Sequence, residues 1–251
     1  MSQLDFDKVY ITDDFASPKQ STIEFHKFLE HHKAYQLAPL SDPILDIGAG
    51  GASGLHYLAA RSVSNTFVGV EYNTELVEWV NQSLLSPASN FYLHNLSLIH
   101  GDWNRPDNTL RSIMPKKVGG LISVHALCTQ RIFSEAAANL TQLNPEWIAF
   151  NSLFYNGPMD VLIHIRDHLT GIEDFNPDGD FNIHSLPMAI TSMNDLGYSF
   201  VDSTEFNIGI DLPIPDGNAR GTYTIKTAWS ERSQFSGPVY LPWHFLLFKR
   251  I

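Results

Sequence analysis

Residues 44–59 read ILDIGAGGASGLHYLA: four strand-forming positions interrupted by one acid, a glycine-rich turn, then an apolar stripe at helical spacing. A strand that ends in a glycine turn before a helix brings a ligand close to the backbone, and the helix N-terminus favours negative charge. Dinucleotide-binding folds use this device, but Gly48-x-Gly50 alone is a weak signal that plain packing also produces. Ser53 is the expected N-cap of the helix, which runs through Arg61. Outward from this turn the chain alternates short apolar runs with helical patterns. PILDI (43–47) and TFVGVE (66–71) read as the first two strands, and 96–100, 118–124 and 147–154 as the next three. Between them Asn73 caps a helix with Leu76, Val77, Val80 and Leu84 on one face, and another helix covers 134–143. Upstream, Ser17-Pro18 has cap and first-turn chemistry for a helix carrying Phe25, Phe28, Leu29 and His32. Strand, loop and helix repeated with short connections indicate an α/β chain with a doubly wound, mostly parallel sheet.

Three acids stand at the carboxyl ends of the first three strands. Asp46 lies two residues before Gly48, where a carboxylate repels a pyrophosphate but suits a ligand bearing an ammonium and a sulfonium. Glu71 ends the second strand, placed to accept both hydroxyls of a ribose. Asp102 follows the third strand, within reach of an adenine amino group. Tyr72 and Trp103, the residues after Glu71 and Asp102, are flat surfaces for an adenine ring. Singly, these acids have ordinary readings as a cap, a solvated strand end and a turn former. Jointly they occupy the edge along which open α/β sheets bind ligands.

Asp46-Ile47-Gly48-Ala49-Gly50, Glu71 and Gly101-Asp102-Trp103 together resemble the class I S-adenosylmethionine-dependent methyltransferases, over roughly residues 40–155. The resemblance implies a seven-stranded, Rossmann-like methyltransferase sheet whose last strand is antiparallel. It implies S-adenosylmethionine as cofactor, with Asp46, Gly48, Ala49 and Gly50 near the methionine portion, Glu71 at the ribose, and Asp102 with Trp103 at adenine. In one departure, Ala52 stands where many members carry a further glycine.

Methyl transfer mainly requires alignment, with a base only for a hydroxyl or charged amine. The acceptor side is expected after the fourth and fifth strands. His125 is the candidate base, able to take a proton near neutral pH, beside its plainer reading as a loop histidine. Cys128 reads as a small buried thiol. Asn151 and Tyr155 are candidates for orienting a polar acceptor. In DVLIHIRDH (160–168), period-two alternation puts His164, Arg166 and His168 on one strand face, either lining a polar substrate pocket or exposed on a lid hairpin. Their spacing suits a metal poorly, and none is expected. A helix over 185–196 closed by Gly197, and strands over 200–206, 222–227 and 243–249, complete the chain as β-rich insertions in the C-terminal third. The aromatic-rich segment 221–245 reads as core, as a lid, or as the contact of a homodimer.

The chain of 251 residues is read as one domain: an N-terminal helical cap (1–41), a cofactor-binding core (42–158), and final strands with lid insertions (159–251). A net charge of −11 disfavours a nucleic-acid face, leaving a small molecule, such as a sugar or natural-product intermediate, as the expected substrate. The single cysteine excludes an internal disulfide framework, no apolar run approaches a membrane span, and MSQLDFDKVYITDDF has no secretory pattern. A cytoplasmic location is expected. Two other readings stay open: an NAD(P)-dependent reductase, disfavoured by Asp46, Ser53 and the Asp102-Trp103 pair, and a non-catalytic protein that binds the same cofactor as a scaffold.

Overall fold

A computed structural model describes residues 11–104, 116–164, 180–214, 222–236, 239–241 and 243–251. Seven strands form the main sheet: β1 (Ile44–Ile47), β2 (Phe67–Glu71), β3 (Leu96–His100), β4 (Gly120–Val124), β5 (Trp147–Ser152), β8 (Tyr198–Glu205) and β11 (His244–Arg250). Their order is β3-β2-β1-β4-β5-β11-β8. β1 to β5 pair in parallel, and β11 runs antiparallel to both β5 and β8. Chain direction reverses in strand order between β1 and β4, the place where such sheets open a crevice at their carboxyl edge.

Helices cover both faces. On one lie α1 (Gln20–His31), α2 (Ser53–Arg61) and α3 (Thr74–Ser83), whose Phe25, Phe28, Leu29, Leu55, Leu58, Val77 and Val80 share a core with Ile44, Phe67, Ile122 and Phe245. On the other, α4 (Phe133–Thr141) and α5 (Leu186–Asp195) bury Ala137, Leu140, Ala189 and Met193 against Leu45, Ile148 and Leu246. Each large side chain fully withdrawn from water contributes about 1.5–3 kcal/mol before entropy is counted. His32 at the C-terminus of α1 pairs with Asp202 of β8 at 3.0 Å, fixing α1 along the far strands.

Most expected elements are present, with local corrections. Asn73 caps α3 by accepting from the Leu76 N–H, and Ser185 caps α5 in the same way, with Gly197 following at φ +87°. Ser17 is not a cap: its N–H donates to the Asp13 carbonyl, closing a helical segment over 11–16, and α1 starts later, after Lys19. Nor does Ser53 cap α2; Ala52 takes the cap position in a left-handed conformation, and Ser53 is already helical. The run expected over 147–154 splits at Leu153, where β6 (Phe154–Tyr155) leaves the sheet to pair with β7 (His184–Ser185). The strand expected over 160–168 is reduced, among the described residues, to bridges from Val161 to Ile183 and from His164 to Asp180; Arg166 and His168 lie outside the described residues. β9 (Thr222–Ile225) and β10 (Ser233–Ser236) form a hairpin apart from the main sheet. No helix among the described residues is long and apolar enough to cross a membrane.

Candidate active site

The turn after β1 is held by its neighbours on three sides. The N–H groups of Gly48 and Ala49 both donate to the Val70 carbonyl, at 3.0 and 3.1 Å, which folds the chain back over the end of β2. Gly48 adopts φ +74°, and a Cβ there would lie 2.4 Å from the Ala126 Cβ, so the loop after β4 rests directly on the turn. On the outer side a Cβ on Gly51 would fall 2.5 Å from Ile11, so the N-terminal segment rests on it as well. Glu71, 6% exposed, accepts from the Gly50 N–H at 2.9 Å and from the Asn73 N–H at 3.0 Å, clamping the turn to the start of α3.

These contacts enclose a cavity of about 300 Å³. Its floor is Asp46 with the glycine turn, and its sides come from Val124, His125 and Ala126 after β4 and from Ile11, Asp14, Pro18, Lys19 and Thr22 of the N-terminal segment. Asp46 is 4% exposed and its Oδ1 has no hydrogen bond. Burial, and secondarily the neighbouring Glu71 charge, raise its pKa well above the usual carboxylate value. A buried acceptor left without a donor is costly unless something polar comes to it.

His125 sits at φ +59° directly after β4, its N–H donating to the Asn151 carbonyl at 2.8 Å. Its ring stacks on Trp243 with centroids 4.1 Å apart, and its Nε2 is buried without a hydrogen bond. Burial, with a smaller push from the Lys19 charge, lowers its pKa to about 3. The imidazole is therefore neutral throughout the physiological range, correcting the expectation that it takes up a proton near pH 7.

The other sequence candidates divide. Gly101 N–H donates to the Glu71 carbonyl at 2.9 Å, so Asp46, Glu71 and Asp102 do follow one another along the carboxyl edge of adjacent strands. Asp102, however, is exposed and accepts from the Asn104 N–H, Trp103 is half-buried on the second core cluster, and Tyr72 is 72% exposed. None of these, nor Glu71, lines the cavity over Asp46. Asn151 is fully buried on β5 with both amide atoms unpartnered, whereas Tyr155 is 40% exposed. His164 Nδ1 and Arg131 Nε both meet the buried Asp180 carboxylate at 2.5 Å, a network tied to the loop after β4 by Asn182, which donates to the carbonyls of Cys128 and Gln130. The Cys128 thiol donates to the His125 carbonyl, and burial pushes its pKa up to about 12, keeping it inert. Sequence reasoning missed Asp14, Lys19, Trp243 and Asp180. Gly51 was the available signal for the first two, since a glycine with no turn to make marks a close neighbour without naming it.

Neither a protein-family model nor a curated protein sequence matches the chain. Solved structures do. The 1,6-didemethyltoxoflavin-N1-methyltransferase of Burkholderia thailandensis aligns over 100% of this chain and 91% of its own, at 12% identity and TM-score 0.54. The CcbJ methyltransferase of Streptomyces caelestis aligns over 94% and 92%, at 12% identity and TM-score 0.53. The glycopeptide N-methyltransferase MtfA, in complex with sinefungin, aligns over 94% and 88%, at 10% identity and TM-score 0.55. The fold is that of the class I methyltransferases. The cavity over Asp46 is lined by the segments that follow β1 and β4, at the carboxyl edge where strand order reverses, and the antiparallel β11 is the expected last strand of the sheet.

Proposed function

We propose that this chain is an S-adenosylmethionine-dependent methyltransferase that methylates an oxygen or nitrogen of a small molecule. The observation that carries the proposal is the buried, unpartnered Oδ1 of Asp46 in the floor of a cavity under a glycine turn. A pyrophosphate there would meet a carboxylate; a ligand with a positive charge relieves it. Asp46, Gly48, Ala49 and Gly50 line the cavity and fit the methionine portion; Glu71 at the ribose, and Tyr72, Asp102 and Trp103 at the adenine, lie outside that cavity and are assigned from the family resemblance. When bound, the cofactor supplies an electrophilic methyl group on a cationic sulfur.

The chain's own contribution is then alignment and exclusion of water. His125 closes one side of the cavity as a neutral imidazole whose Nε2 can accept a hydrogen bond from an acceptor hydroxyl or amine. As a weak base it orients that group rather than ionising it ahead of transfer. Asn151, Tyr155 and His164, with Arg166 and His168 that lie outside the described residues, are assigned to the acceptor side from their place in the sequence, and the unpartnered amide of Asn151 can offer both a donor and an acceptor. The small-molecule class is supported by relatives in fold whose names specify toxoflavin, glycopeptide and coclaurine N-methylation. Calorimetric titration with S-adenosylhomocysteine and, separately, with NADH tests the reading: binding of the first alone is expected, and binding of the dinucleotide alone defeats it. A screen of amines, phenols and sugars with labelled methyl donor then identifies the acceptor.

A further inference from the structure

One side of the cavity is not part of the sheet. It comes from residues 11–22, a helical segment, a Ser17-Pro18 link and the first turn of α1, laid over the glycine turn. Its seating is specific. Ile11, 8% exposed, occupies the space that only a glycine at 51 leaves; Phe15, 4% exposed, packs on His56 and Phe91 with ring centroids 4.9 and 5.2 Å apart; Thr22 lies against Gly54. The packing carries two charged side chains to the cavity rim: Asp14, 15% exposed at its side chain, and Lys19, whose Nζ lies 3.1 Å from the Asp14 Oδ2. Asp46 lines the same cavity with an unpartnered, buried oxygen, and the fourth titratable group of the lining, His125, is neutral.

We infer that Lys19 and Asp14 form the subsite for the α-amino-acid end of the methyl donor, Lys19 pairing with its carboxylate while Asp14 and Asp46 receive its ammonium. The inference rests on the cofactor reading above. The charges match: an amino-acid tail brings one negative and one positive group, and the lining offers one ammonium, paired with Asp14, and two acids drawn from separate segments of the chain. A carboxylate entering the cavity would otherwise face Asp14 and Asp46 with no cation to oppose them. Lys19 holds its charge at the rim, where it is still 40% exposed, so it can exchange its partner without being buried as a bare ion. The arrangement also makes the N-terminal segment a part of the binding site rather than a packing accessory, because Ile11 and Phe15 fix the height at which Asp14 and Lys19 meet the ligand.

The test compares two ligands that share adenosine and sulfur but differ in the tail: S-adenosylhomocysteine, which has the amino-acid end, and 5′-methylthioadenosine, which lacks it. Calorimetry on the wild-type full chain and on Lys19→Met is expected to show S-adenosylhomocysteine weakened at least tenfold and methylthioadenosine changed less than twofold. Lys19→Arg, which keeps the charge, should recover most of the loss, and Asp14→Asn should weaken only the ligand with the tail. Equal binding of S-adenosylhomocysteine by wild type and Lys19→Met overturns the inference, and so does an equal loss of both ligands, which would make Lys19 a determinant of pocket shape. If the wild-type protein binds neither ligand, the cofactor reading itself fails, an outcome separate from the other two.

Discussion

Asp46 stands 4% exposed with one oxygen lacking a hydrogen bond, and burial, then the field of Glu71, raises its pKa well above the usual carboxylate value. A raised folded-state pKa means that Asp46 favours the folded state fully below the unfolded value of 3.8, and that this contribution is lost as pH rises through the folded value. At neutral pH the buried acid is therefore a burden on the ligand-free protein, of the kind tolerated at sites that need it. Asp46→Asn removes the charge at nearly constant shape. It is expected to raise stability at pH 7 by about 1 kcal/mol in urea unfolding, an advantage that shrinks as pH approaches 4, while weakening S-adenosylhomocysteine at least tenfold. A purely structural aspartate would give the reverse, a loss of stability with no specific effect on the ligand. The same residue shows what sequence reading can do alone: an acid before a glycine turn was visible by position, and the burial of its Oδ1 without a donor was not, because that depends on neighbours such as Ile122 and Gly69 beside it in the sheet.

Among elements, the strand–turn–helix unit was the most legible, since glycine, apolar run and cap all lie within one stretch of chain. β3 and the Asn73 cap match the sequence reading because their signals are local. The caps assigned to Ser17 and Ser53 failed for a shared reason: a serine caps only as the non-helical residue immediately before the first helical one, and here Lys19 and the left-handed Ala52 hold those places, with Ser17 ahead of the first and Ser53 already helical. Ala52 occupies the place where the resembling family often has glycine, at φ +61° and fully buried. A left-handed conformation costs an L-residue about 1–2 kcal/mol. Ala52→Gly relieves that, but loses a buried methyl worth about 0.8 kcal/mol and adds about 0.5–1 kcal/mol of unfolded-state entropy. The three effects nearly cancel, so Ala52→Gly should unfold in urea within about 1 kcal/mol of wild type. Ala52→Val, β-branched and left-handed in a filled site, should lose about 2 kcal/mol or more. A large gain from glycine would mean the turn is under more strain than its angle implies. The N-terminal wall escaped sequence reading altogether, because nothing local in residues 11–22 says that Ile11 rests on Gly51.

Over the whole molecule, the alternating pattern disclosed the parallel half of the sheet, and the family resemblance supplied the antiparallel last strand. The C-terminal third was less legible: among the described residues β9 and β10 form a two-stranded sheet of their own, and the link from Asp180 to Arg131 joins segments 49 residues apart that share no periodicity. One global property follows from groups that the fold, not the sequence, buries. His26, His56, His125 and His184 all have lowered pKa values, burial being the first cause in each, and His125 reaches about 3. In the unfolded chain these groups titrate near 6.5, so as pH falls below that value the unfolded state takes up protons that the folded state refuses. Stability contributed by the depressed histidines is present above 6.5 and is lost as pH falls toward their folded values. Asp46 acts with the opposite sign in part of the same window, so the histidine effect is read most cleanly in the Asp46→Asn protein. There, unfolding free energy from urea titrations should decrease from pH 7 to pH 5, with each fully excluded proton contributing a slope of up to about 1.4 kcal/mol per pH unit. His125→Phe keeps a ring against Trp243 and removes one such proton, so it should flatten the slope by up to that amount. If the slope is unchanged in His125→Phe, His125 is protonated in the folded protein, and the neutral imidazole assigned to the cavity wall is wrong.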